Sequence, residues 1–124
     1  ERNTFYNLPI DSLVGAVNAS LEQGYAVCWE GDISEKGFSF RRGMACITEK
    51  TDLSQEARQT DFESYKTTDD HAMCIIGIKT GDDGKRRYII KNSWGTNNPH
   101  HGLMYMTEEY LRMKTIAVWI KSKI

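Results

Sequence analysis

The sequence predicts an α+β chain, antiparallel strands with flanking helices, in one domain spanning residues 1–124. Three observations carry this. Residues 71–92 read as two strands around a Gly-Asp-Asp-Gly turn, an apolar stripe at helical spacing follows Asp11, and strand, helix and strand patterns succeed one another from Leu103. At 124 residues the chain can hold one modest core.

Residues 1–8 are polar apart from Phe5, Tyr6 and Leu8 and read as the tail of a linker. Pro9-Ile10-Asp11 then opens a helix, with Asp11 as its expected N-cap. Leu13, Val14, Val17 and Leu21 form one stripe, and Gly24 supplies a left-handed stop. Tyr25 to Glu30 is a short apolar strand. Ile33 to Lys50 is either a β excursion or a long loop. Its Phe38, Phe40, Arg41 and Arg42 fit a half-buried loop better than a nucleic-acid-binding edge in a chain so nearly neutral. Asp52-Leu-Ser-Gln55 has a capping-box arrangement, predicting a mostly polar helix to about Tyr65.

His71 opens the first hairpin strand, and Tyr88 to Lys91 forms the returning one. Antiparallel partners fold back on one another, so Asn92 is expected beside His71. An imidazole that takes a proton from a thiol needs its second nitrogen held by an acceptor. A neutral amide oxygen does this without adding charge. On pattern alone, a strand-edge histidine and a loop-starting asparagine fit equally well. Ser93 to His101 is loop, broken by Pro99. His100 and His101 are adjacent and have no third ligand near them in sequence, so no metal is expected. Leu103 to Met106 is a strand with Met104 and Met106 as core filler. Thr107 caps a short helix through Glu108 and Glu109, and Thr115 to Ile120 is a last strand.

DDHAMCIIG followed by YIIKNSWG resembles the histidine and asparagine motifs of papain-like cysteine peptidases. QEARQTDFESYKTTDDHAM and GLMYMTEEYLRMKTIAVWI are similar to the last third of the bleomycin hydrolase and aminopeptidase C branch. The resemblance covers Leu53 to Ile120 well and Phe5 to Asp32 more loosely. It implies the C-terminal, barrel-like half of that fold. His71 would be the general base, Asn92 its orienting partner and Trp94 the cover of their hydrogen bond. Asp70 would add negative charge beside an imidazolium.

The implied activity is peptide hydrolysis through a thioester acyl-enzyme, with release of N-terminal residues favoured. The alternatives are an endopeptidase half and a domain that binds peptides without cleaving them. No cofactor is implied. The implied partners are a peptide substrate and an N-terminal, Cys-bearing half of the same protein. A hexamer and a cytoplasmic location are further implications.

None of Cys28, Cys46 and Cys74 stands in a papain-type nucleophile signature or a Cys-x-x-Cys pair. The nucleophile of such enzymes lies about 130–150 residues before the histidine, more than precede His71 here. The thiol is therefore expected upstream of residue 1, and the chain without it is expected to be inactive. Lys and Arg number 16 against 17 acidic residues, so charge singles out neither nucleic acid nor an anionic membrane as partner. There is no apolar run near the ~20 residues of a spanning helix, and no leader segment follows Glu1.

Overall fold

The computed structural model describes residues 7–34, 36–48, 53–63 and 71–121. Helix α1 (Ile10–Glu22) forms where the stripe predicts it, with Val14 and Val17 buried and Leu13 and Leu21 packed against the core. It ends at Gly24, whose φ of +89° turns the chain, while the Tyr25 amide bonds back to the Ser20 carbonyl.

The N-cap differs from expectation. Pro9 occupies the cap position, and Asp11 lies inside the first turn, exposed and paired with Arg112. The Ile10 amide instead donates to the Gln55 side-chain oxygen at 2.8 Å. That acceptor comes from the start of α2 (Gln55–Glu63), where Ser54 Oγ accepts from the Ala57 amide at 3.1 Å and makes Ser54 the cap. Asp52 and Tyr65 lie outside the described residues, as does the approach to the histidine through Lys66, Asp69 and Asp70.

The strands are β1 (Val27–Gly31), β2 (Phe38–Ser39), β3 (Met44–Ala45), β4 (His71–Thr80), β5 (Arg86–Lys91), β6 (Leu103–Thr107) and β7 (Thr115–Trp119). They form one sheet in the order β2-β3-β6-β5-β4-β1-β7, open at β2 and β7. It is α+β as expected, but not wholly antiparallel, because β3 runs parallel to β6. That contact pairs only Met44 with Tyr105 and Ala45 with Met106, too short for the antiparallel preference to dictate direction.

One sheet face is packed. Val27, Trp29, Met73, Ile75, Tyr88, Ile90, Met104 and Met106 are buried there with Val14 and Val17 of α1 and Tyr110 and Leu111 of α3 (Glu108–Lys114). Thr107 caps α3 by accepting from the Tyr110 amide. Two of the buried polar groups are matched across the core: Trp29 Nε1 donates to Thr115 Oγ1 at 2.7 Å, and the Tyr110 hydroxyl to the Asp32 carbonyl at 2.6 Å. Among the described residues no helix is long and apolar enough to cross a membrane.

At the β4–β5 turn, Arg87 pairs with Asp83 at 3.2 Å. This bond, with one from the Lys85 amide, pulls the Asp83 carboxyl down from 3.8 to about 2. A depressed folded-state value stabilises the fold above the free-carboxyl value and loses that contribution as pH falls toward 2. Asp83→Asn is therefore expected to lower the urea midpoint slightly at neutral pH. The difference from wild type should close in titrations carried down to the folded-state value, the effect being small because the pair is solvent-exposed.

Candidate active site

The β4–β5 hairpin brings the two motif residues into contact. His71 Nε2 lies 3.0 Å from Asn92 Oδ1. The Ser93 amide also donates to Oδ1, at 2.8 Å, while Nδ2 faces the Met104 sulfur at 4.0 Å. Donors at one end of the carboxamide and a soft acceptor at the other fix its orientation. An amide oxygen only accepts, so the bonded Nε2 carries the hydrogen and Nδ1 of the neutral ring is left with a lone pair. Asn92 is 5 % exposed, and His71 is half-buried at the mouth of the packed face.

The hairpin alone would not achieve this. From the turn, β4 and β5 pair Thr80 with Arg86 and Ile78 with Tyr88, a register that carried through regularly sets Asn92 opposite Cys74. Side chains alternate with a period of two, so Asn92 and His71 would then lie on opposite faces. A bulge between Ile75 and Gly77 absorbs one residue, Ile76, and beyond it Ile75 pairs with Ile90 and Cys74 with Lys91. Continued, that register puts Asn92 opposite Met73 and on the face of His71. The lone Gly77 within a strand pattern is the sequence signal for this bulge.

Trp94 packs against the His71 ring at 4.9 Å between centroids, tilted by 37°. Its other contacts are edge-on, with Phe38 at 6.1 Å and Phe40 at 5.5 Å. Within the stretch expected to be a β excursion or a loop, β2 and β3 pair as a short hairpin, and the Phe38 and Phe40 rings support the tryptophan beside the imidazole. The sequence reading missed Phe38 and Phe40 because nothing local ties them to a residue 50 or more positions away. Asp70 lies outside the described residues.

The three thiols sit elsewhere. Cys74 follows the alternation onto the sheet face opposite His71, and its cross-strand partner Cys28 shares that face. Cys46, whose Sγ is 3.8 Å from the Gly37 carbonyl, lines a cavity with Thr80, Arg87 and Thr107, at the far end of β4 from His71. His100 packs edge-on against Tyr105, and among the described residues no three His, Cys, Asp or Glu side chains converge as a metal site would require.

The fold has solved counterparts. PepW from Lactobacillus rhamnosis superimposes with a TM-score of 0.75 at 18% identity, over 92% of this chain and 27% of that one. The bromelain protease of Ananas comosus gives 0.53 at 17% identity, over 93% and 46%. At those identities the likeness establishes the fold alone. Sequence relatives are closer: human bleomycin hydrolase is 31% identical over 136 residues, and aminopeptidase W of Lactobacillus delbrueckii subsp. lactis 26% over 131. Each match covers 98% of this chain, which spans 29% of the relative's length. The Peptidase C1-like family model matches residues 1–124 throughout, and with the papain-like sheet already in view, the chain belongs to that family.

Proposed function

We propose that this chain supplies the general base and its orienting carboxamide to a cysteine peptidase whose nucleophilic thiol comes from outside these 124 residues. The 3.0 Å contact between His71 Nε2 and Asn92 Oδ1 carries the reading, because it leaves Nδ1 free to accept a proton. Family membership supports the reaction class, and the name of one relative, aminopeptidase W, favours removal of N-terminal residues from peptides. The positions of Cys28, Cys46 and Cys74 support an external thiol.

In this mechanism His71 Nδ1 takes the proton of the incoming thiol, and Asn92 holds the ring as it becomes an imidazolium. The thiolate attacks the peptide carbonyl. His71 then returns the proton to the leaving amine, and a thioester remains. The neutral imidazole next activates water, which hydrolyses that thioester and frees the thiol. Trp94 keeps solvent from the His71–Asn92 bond, which strengthens as water is excluded.

Fluorogenic aminoacyl substrates test this, offered to the 124-residue chain and to the complete peptidase, with and without a thiol-blocking reagent. The expected result is turnover only by the complete enzyme and only with its thiol unblocked. Thiol-sensitive turnover by the chain alone would overturn the assignment. Asn92→Ala in the complete enzyme is expected to lower kcat/KM on the order of 10²-fold, because the ring loses its tautomer and angle while the base itself remains. The loss should fall on kcat more than on KM in steady-state assays.

A further inference from the structure

Away from the His71 face, two thiols stand side by side. Cys28 of β1 is the direct cross-strand partner of Cys74 of β4. Directly opposed residues of an antiparallel pair point to the same face with Cα atoms about 4.5–5.5 Å apart. Two cysteines can be bridged across about 4.4–6.8 Å. The face is the outer one. Val27, Trp29, Met73 and Ile75, which flank the two cysteines in sequence, are buried on the packed side, whereas Cys28 is exposed and Cys74 half-buried.

Both are free thiols. The same cross-strand row places Trp119 beside Cys28 and Lys91 beside Cys74. Burial and then the neighbouring Cys28 push the Cys74 thiol up, against the opposing pull of the Lys91 ammonium. The two sulfurs therefore feel each other, and Cys28 is the more accessible of the pair.

We propose that Cys28 and Cys74 form a redox modification site, a dithiol that a low-molecular-weight disulfide of the glutathione class converts to a bridge between β1 and β4. The Cys28 thiolate attacks one sulfur of the small disulfide, whose S–S bond breaks, and the departing thiolate takes up a proton. Cys74 then loses its proton and attacks Cys28 Sγ. The intramolecular S–S bond forms, and the second small thiolate leaves and is protonated. Two protein thiols are oxidised and one small disulfide is reduced to two thiols, with no other co-reactant. The bridge pins β1 to β4 in the ladder that also pairs Gly31 with His71, and it closes the chain between residues 28 and 74. This site is independent of the peptidase reading and stands or falls separately.

Equilibrating the chain in reduced and oxidised glutathione buffers, followed by intact mass, alkylation and peptide mapping, tests it. The expected product is lighter by two hydrogen atoms, links the Cys28 and Cys74 peptides, and leaves Cys46 open to alkylation. Cys46→Ser should form the same link. Cys74→Ser should stop at a glutathione adduct on Cys28. The thermal midpoint should rise on oxidation in wild type and Cys46→Ser but not in Cys74→Ser. A persistent glutathione adduct on wild-type Cys28 without an internal bridge would overturn the proposal, as would bridges that recruit Cys46 or join two chains.

Discussion

Alanine at His71 is expected to lower kcat/KM of the complete peptidase by about 10⁴- to 10⁶-fold, because in the proposed mechanism the group that moves the proton is gone while binding surfaces remain. Among the described residues the imidazole has two contacts of note, its bond to Asn92 Oδ1 and its packing on Trp94. It is also half-buried, so the fold should lose only about 1 kcal/mol. Steady-state kinetics and a urea titration on the same preparations separate the two effects. A large loss of activity with a nearly unchanged midpoint is the signature of a chemical role. A comparable collapse of stability would instead make His71 a packing residue.

Gly31→Ala is expected to act in the opposite way, on the fold first. Gly31 is buried and is the register partner of both His71 on β4 and Thr115 on β7, where the β1–β7 pairing shifts. A Cβ there would sit 2.2 Å from the Lys114 carbonyl oxygen and 2.5 and 2.8 Å from two atoms of the Trp29 indole. The carbonyl is backbone, and it already accepts from the Asp32 amide. Trp29 is fully buried, with its Nε1 committed to Thr115. Nothing nearby can yield cheaply, so overpacking of about 3 kcal/mol follows, which for a chain of this size is roughly 10 °C in Tm. Calorimetry would show it. A midpoint within a degree or two of wild type would mean that β1, β7 and the indole slide apart more easily than their hydrogen bonds imply.

What could be read from the sequence is what short-range physics determines. Val14 and Val17 announce their helix because each turn repeats the choice of a buried residue. Thr107 announces its cap because donor and acceptor are three positions apart. His71 and Asn92 could be brought to the same end of one hairpin because a hairpin is a local object with a countable turn, though the count alone does not put them on the same face. The failures share a cause as well. Asp11 offers a local cap, but the Ile10 amide takes an oxygen from Gln55, 45 residues away, which only tertiary packing brings near. Strands β2 and β3 are two residues each and carry no periodicity; they form by pairing with each other and by docking of β3 on β6. Phe38 and Phe40 reach Trp94 by the same route. The bulge at Ile76 decides which way the histidine points, yet in sequence it is marked by a single glycine.

The most direct test of the site is the protonation pattern of the His71 ring, read from nitrogen chemical shifts and proton exchange in the isotopically labelled chain. In the neutral ring the hydrogen should reside on Nε2, protected from solvent exchange by Asn92, with Nδ1 bare, and the protection should vanish in Asn92→Ala. A hydrogen on Nδ1, or an Nε2 signal indifferent to the loss of Asn92, would contradict the assignment of this pair as a base and the group that aims it.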